Sequence, residues 1–318
     1  MSSCCLRAAL CAAALVPSLP VAAHEIAGNR VFPATLAIDD PGVSDELAFP
    51  TITSMKNGDT PSARETSFSA EWAKRITDDF ALAAAPSWVH VGAPGGPGGK
   101  GAGGFDNLET GAKYRLYKNA EHEFVFSVGV EIEWGGTGAA GIGAERFNVY
   151  TPTIYFGKGF GDLPDTLSLL RPFAVTGVVG YGMPARGVSD GAAVPRTLEW
   201  GLSLQYSLPY LKSAVKDYGY PDFFNHLVPI VELAMSTPVS NTFDSGTVTT
   251  GTINPGVLYM ADKYQIGIEA MIPVNRQSGT GIGFIAQLHF FLDDIFPNSL
   301  GRPLFASSDT AGEPKFGR

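Results

Sequence analysis

The sequence predicts an all-β protein: a single antiparallel transmembrane β-barrel of about twelve strands, following a cleaved N-terminal signal peptide. Three observations lead to this prediction. Residues 1–23 have the composition of a secretory leader. No later segment is long and apolar enough to span a membrane as a helix. Several segments of about ten residues alternate between apolar and polar side chains, as strands do when they separate lipid from a polar interior.

The leader has one basic residue, Arg7, followed by an apolar stretch from Ala8 to Val16. Helix-breaking prolines, Pro17 and Pro20, follow the apolar stretch. The small residues Val21-Ala22-Ala23 come next and match the pattern at which signal peptidase cleaves. The apolar core is too short for a spanning helix. We therefore expect export from the cytoplasm, with His24 as the first residue of the mature chain.

Cysteine and charge content exclude several functions. All three cysteines, Cys4, Cys5 and Cys11, lie in the leader, so the mature chain has no thiol for a disulfide, a thiolate metal site or cysteine catalysis. The whole chain has 22 Lys and Arg against 31 Asp and Glu, a net charge of −9, which argues against a nucleic-acid partner. The lone His24 is not a metal site, and the glycine-rich run 92–101 lacks the ending of a phosphate loop. No cofactor is predicted.

Alternation with period two favours a membrane barrel over a soluble β-sandwich. It extends over residues 108–116, 124–134, 198–208, 264–272 and 282–290. The polar faces are mostly Gly, Ser, Glu and Gln, which are small or acidic and suit a crowded interior better than a water-exposed sheet. Because the pattern recurs along the chain, we assign these segments to membrane strands.

The strands are placed near residues 46–56, 65–76, 79–91, 106–118, 122–134, 148–160, 171–182, 196–209, 227–238, 251–261, 263–274 and 281–292. Short periplasmic turns and longer external loops are the rule for such barrels, and an even strand number puts both termini in the periplasm. The tight turns are 77–79, 118–122 and 261–263, and the longer connections are 92–104, 135–145, 183–195 and 240–251. Two periplasmic connections, 161–170 and 211–226, are long enough for a short helix.

The predicted organisation is a signal peptide at 1–23, an N-terminal periplasmic segment at 24–45, the barrel at 46–292 and a C-terminal periplasmic tail at 293–318. Prolines fall inside four proposed strands, where a hydrogen-bonded ladder normally excludes them. We expect bulges or strand ends at these four positions, which are Pro86, Pro152, Pro229 and Pro255.

Two stretches carry a family resemblance: Gly-Phe-Asp-Asn-Leu-Glu-Thr-Gly-Ala-Lys-Tyr-Arg at 104–115 and Gln-Leu-His-Phe-Phe at 287–291. With the leader and the strand number, they resemble the outer-membrane proteins associated with the meta pathway of phenol degradation. The resemblance covers most of residues 46–292 and implies a transport barrel, without functional residues to carry over. One departure is the tail after the last strand, since typical barrels end on an aromatic residue; Phe290 or Phe291 is the internal candidate for that role.

These observations predict a channel or uptake barrel in the bacterial outer membrane for small molecules, such as aromatic or other small organic solutes. Its expected partners are outer-membrane lipid and the solute. One alternative is a scaffold barrel whose segment 24–45 or C-terminal tail binds a periplasmic protein. Another is an outer-membrane hydrolase, but Ser87 and His90 are three residues apart in one strand and therefore on opposite faces, so no catalytic residues are predicted.

Strand parity assigns polar side chains to the lumen, where the acids outnumber the bases. A narrow lumen of this charge favours cations or neutral polar solutes over anions. A second interpretation is that Lys113 and Arg115 neutralise Glu131 and Glu133 on the next strand, leaving an inert network. The predicted lumen-lining residues are Glu71, Arg75, Glu109, Lys113, Arg115, Glu131, Glu133, Glu199, Gln205, Glu232, Gln265, Glu269, Gln287 and His289.

Overall fold

The computed structural model describes residues 25–93, 100–244 and 246–305. The predicted leader and His24 therefore lie outside the described residues. The strands are β1 Glu25–Ala27, β2 Arg30–Phe32, β3 Glu46–Lys56, β4 Arg64–Arg75, β5 Phe80–Ala85, β6 Ser87–Val91, β7 Ala102–Phe105, β8 Leu108–Asn119, β9 Phe124–Trp134, β10 Val149–Gly159, β11 Phe173–Pro184, β12 Val188–Ser189, β13 Ala192–Ala193, β14 Arg196–Tyr206, β15 Leu227–Ser240, β16 Thr250–Met260, β17 Tyr264–Pro273 and β18 Gly283–Phe291.

The large sheet closes on itself as an antiparallel barrel. Each strand pairs with its neighbour in the chain, and β18 pairs with β3 to complete the circle. Segments β5 and β6 both pair with β4 and together form one barrel strand, interrupted at Pro86. Segments β7 and β8 likewise form one strand opposite them. The barrel thus has twelve strands, as the sequence predicts.

Apolar side chains cover the outside of the wall. Every second residue of a strand points outward, and the exposed positions include Leu82, Leu116, Ile154, Leu204 and Ile268. Exposed aromatic residues lie near both ends of the barrel, among them Phe105 and Trp134 at one end and Tyr117, Tyr220 and Phe223 at the other. A large apolar band flanked by aromatic residues is the surface of an outer-membrane barrel and is not stable in water.

The connections distinguish the two ends of the barrel. At the short-turn end lie the tight connections 76–79, 120–123 and 261–263. The same end carries the 3₁₀ helix Asp165–Leu170, and a second connection with α1 (Leu208–Tyr210), the π-helical turn Leu211–Val215 and the 3₁₀ helix Asp222–His226. The long-loop end carries the 3₁₀ helix Ala140–Ile142 and the β12–β13 hairpin. Among the described residues, no helix has the length and apolarity to cross a bilayer.

Prolines in the strands behave differently from the expectation. Of the four prolines predicted to mark bulges or strand ends, only Pro86 interrupts a strand. Pro152, Pro229 and Pro255 lie inside continuous strands with no register shift, so the predicted bulges or strand ends are wrong for these three. Pro152 has no paired residue on β11, and Pro255 has none on β17, because proline has no N–H to donate. All three proline rings point to the outside of the barrel.

The N-terminal segment enters the barrel. Strands β1 and β2 form a hairpin at the short-turn end, where Gly28, at a φ of 64°, packs against the backbone of Ala120. The chain from 33 to 45, which we call the plug, then folds into the lumen before β3 begins. This corrects the expectation that all of 24–45 lies outside the barrel: only the hairpin lies at the short-turn end, and residues 33–45 lie in the lumen.

The C-terminal tail folds back on the barrel. After β18, the short helix α2 (Leu292–Ile295) leads to residues that cap the turn between β4 and β5, where Phe305 N donates to Ile76 O at 2.8 Å. Lys74 Nζ donates to the carbonyls of Leu300 and Arg302. The described part of the tail is therefore bound to its own barrel.

Candidate functional site

The plug is held by one carboxylate of the wall. Three consecutive backbone N–H groups, of Leu36, Ala37 and Ile38, donate to the Glu232 carboxylate at 3.0, 2.6 and 3.2 Å. Glu232 is fully buried on the lumen side of β15. Hydrogen bonds from backbone N–H groups to an ionised carboxylate are the strong kind, so Glu232 fixes the backbone of the plug.

Apolar packing and close approach complete the fit between plug and wall. Leu36 is buried among inward-facing residues of the wall, which include Ile230, Leu258 and Ile285. Opposite the plug the wall has glycine: a Cβ at Gly267 would stand 2.6 Å from Leu36 Cδ1, so a side chain there would force Leu36 to move. The wall is therefore shaped to accept this segment.

Other polar residues of the wall also bind the plug backbone. Gln265 Nε2 donates to Ala34 O at 2.7 Å, and Ser127 Oγ donates to Pro41 O at 2.7 Å. Gln265 was assigned to the lumen from the sequence, but its partner in the N-terminal segment was not foreseen. The plug is thus bound from opposite sides of the barrel.

Basic residues of the lumen pair with the N-terminal segment. Lys113 Nζ lies 2.7 Å from Asp39 Oδ2 and donates to Asp40 O at 2.8 Å. Arg115 binds Glu25 of the hairpin and Asp79 of the β4–β5 turn. The salt bridges of Lys113 and Arg115 therefore go to the plug, the hairpin and the β4–β5 turn, and neither residue forms one with Glu131 or Glu133 among the described residues.

The hairpin is anchored by a buried arginine at the short-turn end. Arg30 Nε lies 3.2 Å from Glu123 Oε2, and the guanidinium donates to the carbonyls of residues 171–173 and lies 3.9 Å above the Tyr210 ring. Tyr210 Oη donates to Glu123 at 2.7 Å. Burial, with the hydrogen bond to Glu123, raises the pKa of Tyr210 to about 12, while burial lowers the pKa of Arg30. The cluster holds the entry of the plug in place.

A second ion-pair cluster binds the start of β3 to the tail. Arg75 binds Asp45 at 2.8 Å and Asp293 at 2.6 Å, and Lys74 also reaches Asp45. Burial raises the pKa of Asp293 to about 7; Arg75 opposes this shift, and Asp45 and Glu46 add to it. Arg75, predicted to line the lumen, is thus committed to this cluster.

Acidic side chains line the half of the lumen nearer the long-loop end. Glu109 and Glu133 are direct cross-strand partners, Glu131 lies two residues from Glu133, and Glu199 borders the same space. Glu131 accepts from Tyr155 Oη and Glu133 from Asn107 Nδ2, both at 2.7 Å. Within the described parts of the chain, none of these four carboxylates has a salt bridge with a basic side chain.

Cavities lie on both sides of the plug. One of about 390 Å³ lies between the plug and the long-loop end, and cavities of about 190 and 160 Å³ flank the plug. Asp39 lines all three. A cavity of about 900 Å³ at the short-turn end shares no lining residue with them. The plug therefore lines the three cavities nearer the long-loop end, and none of its residues lines the cavity at the short-turn end.

The remaining lumen candidates lie around the plug. Glu71 borders the two smaller cavities. Gln287 Nε2 donates to Thr51 Oγ1 at 3.0 Å, and His289 Nε2 lies 3.1 Å from Glu46 Oε2. Gln205 and Glu269 are almost completely buried on the inward face. Sequence reasoning missed Asp39 and Asp40, which no strand pattern marks.

Comparisons with known proteins support no family assignment. No family model matches the chain, and no curated protein sequence matches it. Among solved structures, the chain is similar to a KdgM porin (13% identity, TM-score 0.45, covering 77% of this chain and 98% of that one). It is also similar to the COG4313 outer membrane channel from Pseudomonas putida F1 (12%, 0.49, 82% and 98%) and to LpxR from Salmonella typhimurium (12%, 0.44, 77% and 99%).

Proposed function

We propose that this protein is an outer-membrane channel for small solutes, closed in the conformation described here by its own N-terminal plug. The acidic vestibule at the long-loop end is the observation that carries the proposal. We define it as Glu109, Glu131, Glu133 and Glu199, carboxylates that form no salt bridge with a basic side chain among the described residues. An inert structural barrel has no need to keep four acids facing one another, because each repels the next.

The charge of the vestibule sets the class of solute. The interior of a β-barrel widens with the number of strands: side chains fill barrels of eight strands, and barrels of sixteen have a wide channel. A barrel of about twelve strands therefore has room for only a narrow path. In such a path, fixed charges act at short range between low-dielectric walls and are weakly screened. The vestibule therefore concentrates cations and admits neutral polar solutes, while it repels anions.

Selectivity measured in a planar bilayer tests this proposal. Purified protein under a salt gradient should give a reversal potential of cation-selective sign. The combined substitution of Glu109, Glu133 and Glu199 by Gln should move that potential toward zero, because three fixed charges are lost. Glu121→Gln, in an exposed turn outside the lumen, serves as the charge-matched control and should leave the potential unchanged.

Two results would contradict the channel. An anion-selective wild-type pore would overturn the assigned solute class. A folded barrel without conductance in any variant, including one with a loosened plug, would overturn transport itself. In that case, co-purification of a stoichiometric periplasmic protein would support the scaffold alternative, and acyl-ester hydrolysis by the purified protein would support the hydrolase.

The resemblance to the outer-membrane proteins of phenol degradation makes aromatic compounds one solute class to test. Flux of a neutral phenol into liposomes containing the protein should be compared with flux of a small organic cation. Faster entry of the cation supports the vestibule as the selective element. Phenol flux that persists when the vestibule acids are replaced supports an aromatic uptake route.

A further inference from the structure

Beneath the plug lies a row of polar side chains that we call the belt: Thr176, Ser203, Glu232, Asn254 and Glu269. Thr176 faces Ser203, Ser203 faces Glu232 and Glu232 faces Asn254 across successive pairs of strands. Glu269 is paired with Gly256, two residues beyond Asn254, and its side chain leans over that glycine. The belt therefore crosses five neighbouring strands on the inward face.

The belt residues are buried, yet most of them lack partners. All five are at most 1% exposed. Among the described residues, no protein atom bonds the hydroxyls of Thr176 and Ser203, either side-chain atom of Asn254, or either carboxylate oxygen of Glu269. Leaving buried polar groups unpaired is costly, and stable cores avoid it. Four such residues in one row, beside the plug-binding Glu232, indicate a surface made for another ligand.

The plug shows what chemistry the belt accepts. Glu232, the one belt residue whose carboxylate oxygens are both bonded, takes three N–H groups of the plug backbone. Glu269 and the Asn254 carbonyl add further acceptors beside it, and the two hydroxyls can donate or accept. Two carboxylates exclude an anion. A ligand matching this set is small, carries several N–H or O–H donors, and is neutral or cationic.

We propose that the belt is the solute-binding site of the open channel, and that residues 36–38 of the plug occupy it in place of the solute when the channel is closed. The site takes polyhydroxylated or amine-bearing small molecules. This inference rests on the proposed channel function and adds to it a defined binding site and ligand class. Plug and solute compete for Glu232, so each solute that binds must displace the plug.

A reversible covalent lock makes the competition testable. A Cβ at Gly201 would stand 3.2 Å from Ile38 Cβ, close to the separation of about 3.5–4.5 Å in a disulfide. The double variant Ile38→Cys/Gly201→Cys should form a disulfide during export, and the mature chain predicted from the sequence has no other cysteine. The lock holds the plug against the belt, and a reductant releases it.

Binding is measured by saturation-transfer NMR on detergent-solubilised protein, with glucosamine, glucose and glucuronate as cationic, neutral and anionic probes of similar size. The wild type and the reduced double variant should bind glucosamine and glucose. The oxidised double variant should bind neither sugar. None of the three proteins should bind glucuronate. Glu269→Gln should weaken glucosamine binding about tenfold, the value of one charged hydrogen bond. Thr176→Val should weaken glucose binding, and Glu121→Gln should change nothing.

Each outcome decides between the two proposals. Binding that is equal in the locked and reduced forms, or unaffected by Glu269→Gln and Thr176→Val, overturns the belt even if the protein conducts. Absence of binding in a conducting channel does the same. Binding that obeys the lock in a protein without conductance supports the belt and overturns transport. Circular dichroism and heat-modifiable migration on gels show whether each variant has folded.

Discussion

Buried charges in this barrel fall into two groups at the scale of single residues. At the short-turn end, acids such as Glu123, Asp45 and Asp293 are each held by an arginine at 3.2 Å or less. The vestibule acids form no salt bridge with a basic side chain among the described residues. Paired charges fix structure, whereas unpaired charges in a cavity keep a field that a passing solute feels. The first group anchors the fold, and the second is the one that we propose selects the solute.

Asp293 gives a prediction about pH. Its pKa of about 7 in the folded protein lies above its ordinary value of 3.8, so the folded state binds the proton more tightly. The stabilisation from this group is complete below pH of about 4 and is lost as the pH rises through 7. The urea midpoint of refolded protein should therefore fall from pH 6 to pH 8, and Asp293→Asn should reduce that fall. Equal falls in both proteins would contradict the prediction.

At the scale of elements, the plug is an irregular segment whose conformation depends on its surroundings. It has no strand ladder of its own, and its backbone bonds go to side chains of the wall, such as Glu232, Gln265 and Ser127. The strand ladder of the barrel does not include this segment, so its detachment would break no strand pairing. Glu232 is the residue on which its attachment most depends.

Replacing Glu232 by Gln should loosen the plug. The amide has one acceptor oxygen where the carboxylate has two, and its NH₂ group faces plug N–H groups that need acceptors. A reporter cysteine at Ala37, which borders two cavities, should then react faster with a small maleimide in the variant than in the otherwise wild-type background. Channel openings should also become more frequent. Unchanged labelling would show that Glu232 does not hold the plug, and Glu121→Gln serves as the control.

At the scale of the whole molecule, the two ends of the barrel differ in construction. The short-turn end carries the hairpin, the tail and their ion pairs, whereas the long-loop end carries the acidic vestibule. By the rule for such barrels, short turns face the periplasm. We therefore expect solute to enter through the vestibule from outside and to leave past the displaced plug.

Cysteine labelling of whole cells tests this orientation. Cysteines introduced singly at Gly141 and Gly191, both at the long-loop end, should react with a membrane-impermeant maleimide. A cysteine at Asp262, in a tight turn, should react only after the outer membrane is opened.

The intact mass of the same extracted protein should show that residues 1–23 are absent. In the labelling test, reaction on whole cells at Asp262, with none at Gly141 and Gly191, would place the vestibule in the periplasm.

The sequence by itself determined the barrel and its twelve strands, and it predicted the side of the wall for residues in strands without a bulge. These features follow from the period of two between neighbouring side chains, which local sequence records directly. Only the tertiary structure decided that residues 33–45 enter the lumen, that Lys113 binds Asp39 and that Pro152 stays within its strand. Such partners are brought together when the barrel closes, and Glu232 meets Leu36 across 196 positions of chain. No local pattern encodes a contact that depends on closure of the whole wall.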